Sequence, residues 1–324
     1  MISTRELTKD FVVSRTETVH AVRGISLDVE PGELVAVLGP NGAGKTTMLR
    51  MLTTLIAPTS GTAKVAGYDV TADPSRVRRQ IGYVGQGNGA GHSQRVRDEL
   101  YGQGVIYGLD PRSAKRRTDE LLDSLELGEL AKRKVSELSG GQRRRLDVAM
   151  GLVHAPGLLF LDEPSTGLDP QNRANLWAHI LRMREQYSMT IVLTTHYLDE
   201  ADSMAERVVV VDHGEVIADD TADALKADLA GDQLVLTVAP GNLSQLAELA
   251  HKLPGAREVV GDGDRLTVRV ADGPKALPEL IAASQHYAVP VTAAQVLRPT
   301  LDDVFLNLTG RSLREADSTG KAAA

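Results

Sequence analysis

Short, nearly continuous apolar runs recur through the first two thirds of the chain. Glu33-Leu-Val-Ala-Val-Leu38, Ile81-Gly-Tyr-Val84, Leu158-Leu-Phe-Leu161, Thr190-Ile-Val-Leu-Thr-Thr195 and Arg207-Val-Val-Val-Val211 lack the alternation of a half-exposed strand. That pattern predicts strands buried on both faces, as in a parallel sheet. Ile2 to Leu7 and Ile25 to Val29 alternate with period two and predict half-buried strands, with Phe11 in a polar connection between them. Ala63 to Val65 adds a strand after the Pro58-Thr-Ser-Gly61 turn, and Glu215 to Ile217 closes a hairpin around Asp212-His-Gly214. Helical spacing appears in Met48 to Leu52, after Gln142, and from Arg95 to Leu127, where breaks are expected at Gly102, Gly104 and Asp110-Pro111. Strands alternating with helices predict an α/β fold.

The pattern changes from Gln233 onward. Strand (Leu234 to Val238), helix (Leu243 to Leu253), strand (Arg257 to Val260), strand (Leu266 to Val270), helix (Pro274 to His286) and strand (Val291 to Val296) follow one another. This β-α-β-β-α-β order is the ferredoxin-like arrangement, a smaller α+β domain. A last helix, Leu301 to Leu308, ends at Gly310, and the polar segment Arg311 to Ala324 reads as a disordered tail. The expected division is therefore 1–225, with helices concentrated at about 87–155, then 226–310, then 311–324.

Between the strand at Leu38 and the helix at Met48 stands Gly39-Pro40-Asn41-Gly42-Ala43-Gly44-Lys45-Thr46-Thr47, which matches the phosphate-loop pattern G-x-x-x-x-G-K-[ST] in its strand-to-helix context. The chemistry needs these residue types. Gly39, Gly42 and Gly44 let the backbone curl so that N–H groups converge on an anion, and the helix N-terminus adds its partial positive charge. Lys45 reaches the β- and γ-phosphates, and the Thr46 hydroxyl is a Mg²⁺ ligand. A glycine-rich turn with a chance Lys-Thr is the competing explanation, and the flanking strand and helix argue against it.

Other polar residues stand at strand ends, where α/β sheets place their chemistry. Asp162 and Glu163 end the third of these apolar runs, Gln86 stands two residues past Val84, and His196 follows Thr195. Leu138-Ser139-Gly140-Gly141-Gln142 opens a helix with a serine cap and small residues, a second segment suited to phosphate, although a plain Ser N-cap has the same look. Gly87 to Gly91 reads as a mobile loop, and Lys115-Arg-Arg117 as a solvated helix face.

Composition narrows the function classes. The 324 residues carry a formal net charge of −7 and only 3% aromatic residues, which argues against nucleic acid as a partner. There are no cysteines, so disulfides, thiolate metal sites and cysteine nucleophiles are excluded. The first ten residues have no apolar core of a secretory signal, and no window approaches the roughly 18 apolar residues of a membrane helix, so a cytoplasmic location is expected.

Taken in order, the phosphate loop, Gln86, Leu138-Ser-Gly-Gly-Gln142, Leu158-Leu-Phe-Leu-Asp-Glu163, Asp169 in Ser165-Thr-Gly-Leu-Asp169, and His196 resemble the ATP-binding cassette of ABC transporters over about residues 1 to 225. The later part, with Pro299 to Gly310, resembles the tail domain of daunorubicin-resistance exporter ATPases. The resemblance implies a P-loop NTPase fold with a helical subdomain and the cofactors ATP and Mg²⁺. It implies that Phe11 stacks on adenine and that Gly39 to Thr47 hold the phosphates. Thr46, Gln86 and Asp162 would set Mg²⁺, Glu163 would be the general base, and His196 would contact the γ-phosphate. Ser139, Gly140, Gly141, Gln142 and Asp169 would act across an ATP-dependent homodimer. The implied partners are a second copy and a membrane permease on a separate chain at the cytoplasmic face, which Gly87 to Asp98 would contact. The implied work is export of a hydrophobic drug or antibiotic. A soluble cassette ATPase acting on a cytoplasmic complex is the alternative.

Overall fold

The computed structural model describes residues 1–239 and 241–310; the expected tail from Arg311 lies outside the described residues. The chain divides into two compact units, the first Met1–Asp219 and the second starting at Asp220, a few residues before the expected boundary at 225.

The first unit contains two sheets. β1 (Ile2–Val12), β2 (Thr18–Val29), β4 (Ser60–Val65) and β5 (Tyr68–Asp69) form an antiparallel sheet in the order β2-β1-β4-β5. β3 (Leu34–Leu38), β6 (Ile81–Val84), β7 (Leu158–Asp162), β8 (Thr190–Thr195), β9 (Arg207–Asp212) and β10 (Glu215–Asp220) form the second, in the order β10-β9-β3-β8-β7-β6. Its pairs β6–β7, β7–β8, β8–β3 and β3–β9 are parallel. Every residue of β3, β7 and β8 is buried, as their unbroken apolar character demands.

Two expectations fail for identifiable reasons. Phe11 is not in a connection: β1 runs on to Val12 and pairs with β2, Phe11 opposite Val19, so β-branched pairing carries the hairpin beyond the polar residues. Gly102 and Gly104 do not break a helix, because Val96–Ile106 runs through both. Gly104 is buried there, and a Cβ on it would lie 3.3 Å from the Ala114 Cβ of the next helix, Pro111–Ser124. Close helix packing thus offsets the roughly 1 kcal/mol that a helical glycine costs. The break falls instead at Gly108, with φ +89°, before the Asp110 cap.

The second unit is an antiparallel sheet, β12-β13-β11-β14, made of β11 (Asp232–Val238), β12 (Glu258–Asp262), β13 (Arg265–Val270) and β14 (Val291–Leu297). The helices Leu243–His251 and Gly273–His286 pack on it. Leu234, Leu236, Leu266 and Val268 alternate inward against Leu246, Ala250 and Leu280, giving the ferredoxin-like core that the period-two and helical patterns predict.

Candidate active site

The phosphate loop leaves β3 and enters the helix Lys45–Leu52, whose N-cap is Gly44. Gly44 has φ +102°, and a Cβ there would come within 2.4 Å of the Ala21 carbonyl oxygen. Only glycine fits both constraints. No side chain caps this helix, so its first-turn N–H groups are left for another acceptor. Lys45 is buried; its Nζ donates to the carbonyls of Gly39, at 2.5 Å, and Pro40, at 3.0 Å. The ammonium is thus held across the mouth of the loop.

The loop lines a cleft of about 610 Å³ together with Gln86 and Glu163. Thr18, Val19, His20, Ala21 and Arg23 of β2 and His213 of the β9–β10 turn complete it. The β2 residues and His213 belong to no motif. They reach the cleft because Gly44 and Gly214 pack against Ala21 and Val22, a tertiary contact with no sequence signature. Phe11, Ser139 to Gln142 and Asp169 do not line this cleft, although Val19, opposite Phe11, does.

Behind the loop, Asp162 is buried at the end of β7. Its Oδ1 accepts from the hydroxyls of Thr46, at 2.9 Å, and Thr194, at 2.7 Å, while Tyr83 OH stands 3.5 Å from Oδ2. Glu163, next along, has φ +47°, a left-handed conformation costing about 1–3 kcal/mol in a non-glycine residue. Its N–H donates to both the carbonyl and the hydroxyl of Thr194, each at 3.1 Å. Its carboxylate accepts from Thr166 Oγ1 at 3.1 Å and lies 3.2 Å from His196 Nδ1. Burial pushes the Glu163 carboxyl up, but the His196 contact and charge, the Lys45 ammonium and Thr166 together hold it below the usual glutamate range. A buried, ionised carboxylate beside a phosphate loop is suited to orienting and polarising a water.

The Ser139 segment is ordered by itself. Ser139 Oγ accepts from Gln142 N at 3.3 Å, and Gln142 Oε1 accepts from Ser139 N at 3.0 Å, a capping box for the helix Gly140–Leu152. This helix start is therefore closed on itself by its own side chains. Asp169 caps the helix Pro170–Tyr187, accepting from Asn172 N at 3.0 Å. The glycine loop after Gln86 is likewise pinned: Gly89 N and Ala90 N donate to Asp147, and Gly91 N to Glu99. Sequence reasoning missed Arg144 and Asp147, one charge among an exposed-looking basic run and one in an apolar stretch.

This set of groups defines a phosphate-loop nucleotide hydrolase, and the comparisons specify which. The ABC transporter family model matches residues 22–166, and the model of the C-terminal domain of DrrA1-3-like ATP-binding proteins matches residues 221–309. Daunorubicin resistance ATP-binding protein DrrA3 of Streptomyces coeruleorubidus is 41% identical over 96% of this chain and 98% of its own. The linearmycin resistance ATP-binding protein LnrL of Bacillus subtilis is 35% identical over 91% and 95%. Among solved structures, a dimeric ATP-binding cassette bound to ADP and Pi is 25% identical, with a TM-score of 0.63, over 68% of this chain and 98% of that one. The chain belongs to the ABC transporter ATP-binding proteins, in the daunorubicin-resistance group, and it is an ABC-type ATPase.

Proposed function

We propose that this ATPase energises an exporter of hydrophobic drugs or antibiotics whose permease is a separate chain at the cytoplasmic face of the membrane. The relatives' names support the cargo class, since they are resistance proteins for daunorubicin, doxorubicin and linearmycin. No helix among the described residues is long and apolar enough to cross a membrane, so the pathway itself needs another chain or another part.

The observation that carries the mechanism is the Glu163 carboxylate, held ionised between Thr166 and His196 at the edge of the phosphate-loop cleft. ATP would lie with its β- and γ-phosphates on the Gly39 to Thr47 loop and Lys45, and its adenine toward Val19 and Phe11. Glu163 would accept a proton from the attacking water as the γ-phosphoryl group leaves the β-phosphate oxygen, and His196 would hold base and γ-phosphate in register. Mg²⁺ fits the donors present. The Thr46 hydroxyl and the Asp162 carboxylate already face each other at 2.9 Å, and no cluster of three acidic or imidazole groups competes among the described residues. That suits an ion held by one or two protein oxygens, water and the substrate phosphates. Thr46, Asp162 and, through water, Gln86 would hold it, and it would neutralise charge between the phosphates.

Two such chains would close head to tail, Ser139 to Gln142 and Asp169 of each completing the site built on the other's Lys45. The open phosphate loop leaves the γ-phosphate side to water, which a second helix end would exclude. Purified full-length Glu163→Gln should bind ATP normally, lose turnover by roughly 10²–10⁴-fold and run as a dimer with ATP but a monomer without it. Unchanged turnover, or a monomer at every ATP concentration, overturns this reading. Daunorubicin efflux on co-expression with the permease from a neighbouring reading frame tests the cargo.

A further inference from the structure

The helix that begins at Ser139 carries a buried arginine whose bonds go to the hydrolytic side of the same chain. Arg144 is 8% exposed and makes four hydrogen bonds, all to main-chain carbonyls. Nε donates to Pro164 O and one terminal nitrogen to Gly85 O, both at 2.6 Å. The other terminal nitrogen donates to Asp162 O and Glu163 O, both at 3.3 Å. Among the described residues no carboxylate stands at ion-pair distance from it; four main-chain carbonyls hold the guanidinium, with the Asp147 and Asp162 carboxylates adding charge from further off. One turn further on, Asp147 Oδ1 accepts from Gly89 N at 3.0 Å and Ala90 N at 3.3 Å. The helix therefore grips both ends of the segment holding Gln86, and all three residues of the turn from which the Glu163 carboxylate projects. That turn is the strained one, with Glu163 at φ +47°.

We infer that Arg144 is the positioning residue that links one nucleotide site to the other, transmitting contact at Ser139 to Gln142 to the catalytic carboxylate and Gln86 of its own chain. This rests on the shared-site reading above. A helix is stiff along its axis, and Arg144 stands five residues beyond its cap, so a load on the cap displaces the guanidinium and the carbonyls it holds together. The planar fork matters: four acceptors from two separate segments are reached by one rigid group, which the point charge of a lysine does not reproduce.

The test uses full-length heterodimers with two affinity tags, one chain carrying Glu163→Gln, so that turnover comes only from the site built on the other chain's Glu163. Rates are counted per bound fluorescent ATP analogue, which leaves misfolded chains out. The heterodimer without an Arg144 change sets the reference rate, and Ser139→Arg added to its Glu163→Gln chain tests the shared-site reading by itself; unchanged turnover with that addition sinks that reading and the link with it. Against the reference rate, Arg144→Met in the Glu163-bearing chain should lower kcat at least tenfold, with analogue affinity within about threefold, and Arg144→Lys should restore part of it. Arg144→Met in the Glu163→Gln chain leaves every cis residue of the working site intact, and should still lower kcat several-fold. No change in this second arrangement overturns the link while leaving the shared site standing. A loss of binding-competent chains with normal kcat per site in both arrangements shows a structural role and overturns the inference.

Discussion

In Met1–Asp219, Lys45, Arg144, Asp147, Asp162, Glu163 and Glu200 are all buried, several at strand ends beside one cleft. Among the described residues from Asp220 onward, the buried polar side chain is Ser284, and the interior is otherwise aliphatic with Phe305. Burying a charge costs several kcal/mol unless it is paired or hydrogen-bonded. The first unit offsets that cost locally, with Thr46 and Thr194 on Asp162, Ser165 and Thr195 on Glu200, and carbonyls on Arg144. A unit selected only to fold has no reason to carry such a load. The contrast places the buried charges of the described residues in the first unit, around the phosphate-loop cleft.

The largest effect that tests this contrast is on catalysis. Lys45→Ala removes the cation held across the phosphate loop by Gly39 O and Pro40 O. Losing one preorganised donor of this kind costs on the order of 10²–10³-fold in turnover, so steady-state phosphate release should fall at least that far. Turnover within tenfold of wild type would show that the cleft is not where ATP is cleaved. The matching change in the second unit should do the reverse. Leu266→Ala, at a fully buried position, should destabilise that unit by about 2–5 kcal/mol, read as hydrogen exchange confined to residues from Asp220 onward. ATP affinity should hold; a parallel loss would mean that the two units do not fold separately.

The two units also differ in how much of them the sequence makes legible. Periodicity is enough for the second, because each of β11 and β13 alternates inward and outward and each helix has one apolar face. In the first, β3, β7 and β8 and the phosphate loop are equally plain. What the sequence conceals there is what long-range packing supplies. Arg144 is indistinguishable from Arg143 and Arg145 by composition, and only the fold turns it inward. His20, Arg23 and His213 join the cleft through contacts at Gly44 and Gly214. The loop at Gly87 to Gly91 looks mobile from its glycines, yet Asp147, far along the chain, holds its N–H groups.

A smaller effect belongs to the cap of the last described helix. Thr300 Oγ1 accepts from Asp303 N at 3.3 Å, and the Asp303 carboxylate accepts from Thr300 N at 2.8 Å, closing a capping box on Leu301–Thr309. Thr300→Ala should cost about 1 kcal/mol, seen as faster exchange in that helix alone, with phosphate release unaltered. A change in ATPase rate would assign this end of the chain a part in the chemistry.

The last prediction separates the units by pH. His154 is pushed below the usual histidine range, first by burial, although its Nε2 contacts Ile81 O at 2.9 Å; Tyr107 stacks on it with ring centroids 3.9 Å apart. His179 is 1% exposed and lowered by burial too, against a raising influence from Glu126. A group whose folded pKa lies below its unfolded value, about 6.5 for histidine, contributes stability that is full above that value and is lost as pH falls through the folded pKa. Asp147 acts in the opposite sense. Burial raises its carboxyl, so its contribution is full below the unfolded carboxylate pKa and lost as pH rises through the folded one. Acid below pH 6.5 therefore weakens the first unit through the histidines, and Asp147 acts against that loss. His251 and His286 of the second unit are both exposed, so no histidine ring is buried among its described residues. Hydrogen exchange at pH 7.5 and 5.5, corrected for intrinsic rates, should show protection falling in Met1–Asp219 and holding from Asp220 onward. His154→Gln, which keeps a donor for Ile81 O but does not titrate, should shrink the fall. Equal losses in both units would mean that acid acts through net charge rather than through these buried rings.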